Sequence, residues 1–372
     1  MLKRIYVDNY KSLVNVEVPI QEINLFLGEN GSGKSALFEV LKGLQDFVCN
    51  GKRIKEAFPT ERLTRWQNSQ SQTFELEITG NEGQYKYQLV VEHNPDIDKA
   101  RVKHEQLLFD GNPLIELETN EVHLFRDDFS AGPTYPADGT LSAVGAIPPR
   151  KDNTRLTWFR EYLKRFVIVQ INPSMMHSES PRETSAPTIH FENYISWYRY
   201  ISQDQGMTMQ LIAALQAVLP GFEHFKFEAV GEKHRLLKVY FQSEDDAPAV
   251  AYAFDELSDG QRMLIALYSL LYAARAEQKY TYTLCIDEPG NFISLSEIQP
   301  WLTELYESCT EHQMQALLIS HHPELINYLL ASPVGYWFER ESNRPTRVRR
   351  ITAQSEGGLP SAELVARGWL NA

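Results

Sequence analysis

The sequence lacks the features that mark membrane, secreted and metal-binding proteins. It has no run of eighteen apolar residues, which excludes a transmembrane helix. Its first residues enter a strand-like alternation directly, without the apolar core of a signal peptide. The three cysteines are widely spaced and odd in number, so we expect reduced thiols in a cytoplasmic protein and no disulfide framework. The ten histidines show no metal-ligand spacing.

Two further absences narrow the class of protein. No sustained heptad repeat occurs, which excludes a long coiled coil. Excess basic charge is also missing, and a net charge of −13 argues against a general nucleic-acid coat. DNA binding by a local basic patch remains possible, because binding depends on the charge of the patch and not on the net charge of the chain. The 372 residues are 43% hydrophobic and 23% charged, which indicates a globular protein of two or three domains.

A glycine-rich segment from residue 28 to residue 35 matches the phosphate-binding P-loop pattern, G-x-x-x-x-G-K-[ST]. An apolar run at 23–27 precedes it, and apolar residues spaced as on one helix face follow it. Glycines let backbone N–H groups turn towards phosphates, while Lys34 can reach the β- and γ-phosphates and Ser35 can ligate Mg²⁺. The predicted nucleotide-binding residues are Asn30, Gly31, Ser32, Gly33, Lys34, Ser35 and Ala36.

A second apolar strand, at 283–287, ends in two carboxylates and has the Walker B arrangement. Asp287 is expected to hold Mg²⁺ and Glu288 to activate the attacking water as general base. Buried carboxylates are costly without a metal or a donor, so their presence indicates a use. Gln170, at the end of the apolar strand 166–171, resembles the Q-loop glutamine of ABC-class ATPases, and that resemblance makes it a third candidate metal ligand.

The segment Leu257-Ser258-Asp259-Gly260-Gln261 precedes the Walker B strand. Taken alone it is a helix start with Ser258 as N-cap. In this order of motifs it resembles the ABC signature Leu-Ser-Gly-Gly-Gln, with Asp259 at the first glycine. That resemblance implies that residues 258–261 contact the γ-phosphate held by the opposite subunit. The strand 316–319 leads to His321, which resembles the switch histidine.

Together these motifs resemble the ABC-class ATPase heads of the SMC, Rad50, RecF and OLD group. The resemblance is closest to stand-alone AAA-21-like ATPases of bacterial anti-phage systems, whose N-terminal strand the residues 6–13 fit. It departs after Glu288, where Pro289-Gly290-Asn291 replaces the usual Pro-Glu-x-x-Leu-His-Pro. The resemblance implies an α/β P-loop fold: a mostly parallel sheet flanked by helices, an antiparallel β subdomain and a helical insertion.

The implied activity is hydrolysis of ATP with Mg²⁺, with Lys34, Glu288 and His321 as catalytic residues. ATP binding would form a homodimer or higher oligomer that regulates a separately encoded nuclease or toxin. Two alternatives stay open: a nucleotide-gated scaffold with little turnover, and a RecF-like DNA-repair ATPase. A transporter subunit fits the long stretch between Lys34 and Ser258 poorly. The 51 residues after His321 are too few for the added domain of an OLD nuclease.

Two basic clusters are candidate DNA contacts. Their positive side chains could neutralise the phosphates of DNA. Alternatively, they could simply form a solvated face or, in the second cluster, charges that protect an edge strand from pairing with other chains. The first cluster, with Trp66 beside it, consists of Lys52, Arg53, Lys55, Arg62 and Arg65. The second consists of Arg340, Arg344, Arg347, Arg349 and Arg350.

Changes in composition along the chain predict three regions. Residues 1–126 would form an N-terminal ATPase lobe, 127–220 an insertion with a helical subdomain, and 221–372 a C-terminal ATPase lobe. Residues 127–155 are rich in Gly, Pro, Ser, Asp and Ala, so we expect a long surface insertion that is mobile or depends on a partner.

Overall fold

The computed structural model describes residues 1–242, 248–276, 281–311, 314–321 and 335–351. The strands are β1 (Leu2–Asp8), β2 (Val16–Pro19), β3 (Ile23–Gly28), β4 (Ser71–Gly80), β5 (Gly83–Asn94), β6 (Lys99–Phe109), β7 (Asn112–Glu118), β8 (Glu121–Phe125), β9 (Ala131–Pro136), β10 (Phe166–Val169), β11 (Glu179–Ser180), β12 (Phe222–Val230), β13 (His234–Phe241), β14 (Val250–Ala253), β15 (Thr283–Asp287), β16 (Gln315–Ile319), β17 (Gly335–Glu339) and β18 (Arg347–Ile351). The helices are α1 (Lys34–Cys49), α2 (Ile54–Ala57), α3 (Ala143–Ala146), α4 (Thr154–Leu163), α5 (Tyr194–Ile201), α6 (Gln205–Val218), α7 (Asp259–Ala276) and α8 (Leu295–Glu311).

A six-stranded sheet in the order β10-β15-β16-β3-β17-β18 forms the centre of the molecule. Its strands are parallel except for β18, which pairs antiparallel with β17. Every residue of β3, β15 and β16 is buried. Parallel strands covered on both faces need mostly apolar side chains on both sides, which explains their predominantly apolar sequences. The strands predicted at 23–27, 283–287 and 316–319 are confirmed.

An antiparallel sheet covers one face of the central sheet. Its eight strands run in the order β2-β1-β4-β5-β6-β7-β8-β9. Helix α1 contributes the predicted apolar face, Leu37, Leu41, Leu44 and Val48, to the core shared with this sheet. Phe26 of β3 belongs to the same core. The strand-like alternation at the start of the chain forms β1, and the antiparallel β subdomain that the resemblance implies is confirmed.

Helices cover the opposite face. Leu25 and Leu27 of β3 lie in a second core with residues of α5, α6, α7 and α8. A small antiparallel sheet, β11-β13-β12 with β14 paired to β13, borders this layer. The α/β fold with a mostly parallel sheet, flanking helices and an antiparallel β subdomain is confirmed. Within the described part of the chain, no helix is both long and apolar enough to cross a membrane.

The prediction that 127–155 forms a surface insertion is wrong. Residues 131–136 form β9, which pairs with β8 at the end of the antiparallel sheet, and Ala143 and Val144 of α3 are buried in the first core. The buried Glu105 of β6 holds α3 in place. Its carboxylate accepts hydrogen bonds from Ser142 Oγ at 2.6 Å and from the Ala143 N–H at 2.6 Å. A polar composition therefore conceals a segment that belongs to the fold.

The three-region division at residues 126 and 220 stays a prediction. His322, the second histidine of the predicted switch loop, lies outside the described residues, as do residues 352–372.

Candidate functional site

The P-loop connects the C-terminal end of β3 to the first turn of α1. Gly28 has φ +138°, and a Cβ atom there would stand 2.0 Å from the carbonyl oxygen of Phe338 in β17. Gly33 has φ +105°, and its Cβ would stand 2.8 Å from Thr346 Oγ1. Side chains at these two positions would meet both a forbidden backbone conformation and a filled space. Gly28 and Gly33 are therefore required by the loop conformation and by the neighbouring atoms that leave no room for a Cβ.

Lys34 lies inside the loop that it follows. Its side chain is buried, and Nζ donates to the carbonyl oxygens of Gly28 at 2.6 Å and Glu29 at 2.9 Å. Burial lowers the pKa of Lys34, and the nearby carboxylates of Glu288 and Asp287 oppose that shift. A buried ammonium beside two carboxylates gives this end of the cleft fixed charges of both signs.

Ser35 and Asp287 bring the two halves of the site into contact. Ser35 Oγ donates to Asp287 Oδ2 at 2.8 Å, across 252 residues of sequence. Burial raises the pKa of Asp287, while the Ser35 hydrogen bond and the charge of Lys34 lower it. A hydroxyl and a carboxylate are the hard oxygen ligands that Mg²⁺ uses beside phosphates and water. These residues therefore fit Mg²⁺, which supplies charge neutralisation for phosphates when bound.

The Walker B carboxylate Glu288 contacts His321 through both of its oxygens. The His321 N–H donates to Glu288 Oε2 at 3.2 Å, and His321 Nε2 lies 3.4 Å from Glu288 Oε1. Burial raises the pKa of Glu288, and the His321 hydrogen bond opposes this. Burial, followed by the charge of Lys34, lowers the pKa of His321. The lowered pKa of His321 favours the neutral form of the imidazole beside the Glu288 carboxylate.

Glu288 also has a strained backbone. Its φ is +55°, in the left-handed region, and its N–H donates to the carbonyl oxygen of Ile319 at 2.9 Å. A residue with a Cβ persists there only when its surroundings hold it, at a cost of about 1–3 kcal/mol. In this conformation the Glu288 carboxylate contacts His321.

Two residues that the sequence did not single out support the P-loop from behind. Thr346, just before β18, donates from Oγ1 to the carbonyl oxygen of Ser32 at 2.7 Å. Its Oγ1 also lies 2.9 Å from Ser12 Oγ, and its N–H donates to the Ser12 carbonyl oxygen. All three hydroxyl residues are buried. The C-terminal hairpin β17–β18 and the turn after β1 are thereby tied to the loop.

These groups surround a cleft of about 590 Å³. Every P-loop residue predicted to bind nucleotide, from Asn30 to Ala36, lines it, together with Asp287, Glu288 and His321. Gln170 lines the same cleft, so the structure brings this candidate metal ligand to the site. The cleft also contains residues expected elsewhere: Arg62, Arg65, Trp66 and Arg340.

The first basic cluster is not a single surface. Arg62 and Arg65 face the nucleotide cleft. Lys52 instead pairs with Asp46 at 2.8 Å, Lys55 forms an ion pair with Asp98, and Arg53 donates to Thr140 Oγ1 at 2.9 Å. The structure therefore separates the five residues that sequence proximity placed together.

The second cluster is divided as well. Arg340 lies in the cleft, whereas Arg347, Arg349 and Arg350 are in β18 at the end of the described six-stranded sheet. Arg344 pairs with Glu341 at 2.7 Å. This placement matches the reading of an edge strand guarded by charge.

The signature segment leads into α7; Ser258 is exposed, and Asp259, Gly260 and Gln261 are partly exposed. Ser258 Oγ accepts the Gln261 N–H at 3.2 Å, and Gln261 Oε1 accepts the Ser258 N–H at 3.0 Å, which is a capping box. Asp259 pairs with Arg262 of its own helix at 2.5 Å. A Cβ at Gly260 would stand 2.8 Å from the Phe292 carbonyl oxygen. Among the described residues that line the nucleotide cleft, none comes from 258–261.

Comparisons with known proteins agree with this geometry. Residues 1–127 match the family model for an AAA ATPase domain. Residues 149–327 match the model described as "AAA domain, putative AbiEii toxin, Type IV TA system". The chain is similar to the solved Smc head domain with a coiled coil and joint derived from Pyrococcus yayanosii, with a TM-score of 0.52 and 9% identity over 99% of both chains. The chain has the P-loop fold of an SMC ATPase head.

A further solved structure is less similar in shape. The SMC head domain from Thermotoga maritima aligns with 13% identity over 94% of this chain and 98% of its own, at a TM-score of 0.49. No curated protein matches the chain. In this chain the Walker A and Walker B strands, β3 and β15, lie on either side of β16, and His321 follows the end of β16.

Proposed function

We propose that this chain binds ATP with Mg²⁺ and hydrolyses it, and that ATP joins two copies head to tail. One observation carries the hydrolysis: Lys34, Ser35, Asp287, Glu288 and His321 line one cleft at the ends of β3, β15 and β16. Hydrogen bonds join Ser35 to Asp287 and Glu288 to His321. Five residue types meet there, and together they supply charge neutralisation, Mg²⁺ ligands and activation of water for phosphoryl transfer.

Each residue has a defined task in this proposal. Lys34 neutralises charge on the terminal phosphates, and the oxygens of Ser35 and Asp287 hold Mg²⁺, with Gln170 as a further candidate ligand. Glu288 takes a proton from the attacking water, and its raised pKa brings its basicity closer to neutral pH. His321 contacts that carboxylate and orients it, and would face the γ-phosphate of a bound ATP.

The position of the signature segment supports the dimer. Ser258 is exposed and precedes a helix of 18 residues whose first turn is partly exposed, yet residues 258–261 do not line the cleft of their own chain. The neighbouring Phe292 is 53% exposed. A second copy in a head-to-tail arrangement would bring this helix N-terminus, with its partial positive charge, to the phosphates.

The proposed biological role is control of a separately encoded effector, a nuclease or toxin, in cytoplasmic anti-phage defence. The family model matched at 149–327 is named for a toxin of a type IV toxin–antitoxin system, which supports this setting. In such a system the chain would be the part that responds to nucleotide. The reason is that the candidate catalytic residues of the described chain all line one cleft, the one that would bind the phosphates. Purification of the chain with its native neighbours, with and without ATP, tests the effector.

Hydrolysis is tested by comparing the wild type with Glu288→Gln, which keeps size and removes the base. We expect turnover to fall by at least about a hundredfold while ATP binding persists. Glu297→Gln is the matched control, because Glu297 accepts from the Ser294 N–H at the start of α8, away from the cleft. Equal turnover in both variants would refute Glu288 as the base. A wild type that binds ATP without turnover would favour the nucleotide-gated scaffold.

A further inference from the structure

The mouth of the cleft holds an aromatic ring and a guanidinium that come from distant parts of the sequence. Trp66 lies between α2 and β4, and Arg340 directly follows β17. Arg340 Cζ lies 4.9 Å from the centroid of the Trp66 ring, which is a cation–π contact. The same guanidinium donates from Nη1 to the carbonyl oxygen of Gly31 at 3.4 Å. Arg340 thus touches the P-loop on one side and Trp66 on the other.

The other polar contacts of this pair do not explain it as an ion pair. Arg340 Nε donates to the Arg344 carbonyl oxygen at 3.1 Å. No carboxylate pairs with Arg340 in the part of the chain that the structure describes, and the ion pair of Glu341 is with Arg344. The charge of Arg340 at the cleft is therefore not balanced by an ion pair within the described residues, and its guanidinium offers a planar stacking surface.

Trp66 lines the cleft with its ring. Its indole Nε1 is buried without a hydrogen-bond partner among the described residues. That N–H lies in the plane of the ring, so the part of Trp66 that a ligand in the cleft can stack on is the face of the indole. A nucleobase is a flat ring that stacks on such a face.

We propose that Trp66 and Arg340 form the subsite for the nucleotide base, with the base stacked on this pair and the phosphates in the P-loop. The proposal rests on nucleotide binding by the P-loop, as argued above. Arg340 sets the spacing, because one guanidinium bridges Gly31 and Trp66. A nucleotide whose phosphates sit at the loop then has its base within reach of the ring.

A competing occupant is a base of single-stranded DNA, which also stacks on aromatic rings. The contact between Arg340 and the P-loop favours the mononucleotide. It holds the stacking surface of Trp66 and Arg340 beside the phosphate site, whereas a DNA strand would need a groove that continues past it. Arg62 and Arg65 line the same cleft and add positive charge there. The basic residues near Trp66 are thereby assigned to the nucleotide.

The test separates the base from the phosphates. Dissociation constants are measured for MgATP and for magnesium tripolyphosphate, which has the phosphates and no base, on the full chain. Trp66→Ala should weaken MgATP about tenfold, the effect typical of losing one stacked base, and leave tripolyphosphate unchanged. Trp66→Phe should recover most of the loss. Trp158→Phe is the matched control, because Trp158 stacks on Tyr85 in the antiparallel sheet.

The variant Arg340→Lys tests the second residue of the subsite, since lysine keeps the positive charge and lacks the planar surface. It should weaken MgATP several-fold and spare tripolyphosphate. Equal weakening of both ligands in Trp66→Ala would overturn the subsite, because it would mean a damaged P-loop. Unchanged MgATP affinity in Trp66→Ala would also overturn it, and loss of affinity for single-stranded DNA alone would assign the ring to DNA. If the wild type bound neither ligand, the proposed nucleotide function itself would fail.

Discussion

Replacing Thr346 with Val should weaken both the folded state and nucleotide binding. Valine keeps the shape of threonine and removes the hydroxyl that meets the Ser32 carbonyl and Ser12. Two hydrogen bonds at about 1 kcal/mol each, with about 1 kcal/mol for leaving the buried Ser32 carbonyl unpaired, give a loss of roughly 3 kcal/mol in the free energy of unfolding. Ser32 lies inside the P-loop, so the loop is then less ordered before it binds phosphate. Ordering about one residue costs roughly 1–2 kcal/mol, or about tenfold in affinity.

Urea unfolding and MgATP titration measure the two effects separately. Thr346→Ser keeps the hydroxyl and should restore affinity to within a few-fold of the wild type. Thr208→Val is the control, because it removes a hydroxyl that donates to Asp204 O at 2.8 Å in α6, away from the cleft. If Thr346→Val lost stability while MgATP affinity stayed unchanged, the hairpin β17–β18 would be only a structural support. Our claim that it positions the P-loop would then be wrong.

Two other predictions follow from buried carboxylates. Burial raises the pKa of Glu288, and only the ionised form accepts a proton, so the turnover rate should fall with decreasing pH around a value above the ordinary 4.5; a rate profile with its acid limb at or below 4.5 would contradict this. Ser142→Ala removes the N-cap of α3 and a donor to Glu105, so the free energy of unfolding in urea should fall by about 2 kcal/mol. MgATP affinity should not change, and a fully stable variant would mean that α3 contributes little to the fold.

The nucleotide-binding half of the site could be predicted because its motifs are local. Each consists of adjacent residues whose types are set by one task, such as the glycines that keep space beside the Phe338 carbonyl. Apolar runs and periodic helix faces likewise predicted the central strands and α1. These signals need no knowledge of what lies across the fold.

Contacts between distant residues could not be predicted in the same way. Thr346 and Ser12 are 334 residues apart, and no pattern near either one indicates the other. The same holds for Trp66 and Arg340, which sequence proximity assigned to separate DNA-binding clusters. Both pairs exist because β17 lies beside β3 in the central sheet and carries the C-terminal hairpin to the P-loop.

The segment 127–155 shows a different failure. Its strand β9 contains two prolines and a glycine, a composition typical of loops. Such a strand is tolerated because it pairs with β8 alone, at the end of the sheet as described, where ladder hydrogen bonds are needed on one side only. Helix α3 has four residues, and the buried Glu105 carboxylate fixes it. The composition of the segment alone does not indicate the hydrogen bonds between Glu105 and α3.

The most direct test of the composite ATP site is the solution mass of Glu288→Gln with MgATP and with MgADP. Our account predicts a dimer with MgATP, because hydrolysis is blocked and the signature segment of one copy meets the phosphates bound by the other. It predicts a monomer with MgADP and for the double variant Lys34→Ala, Glu288→Gln with either nucleotide. A mass that ignores nucleotide, in a protein shown to bind MgATP, would mean that Ser258 only caps α7 and that the site is complete within one chain.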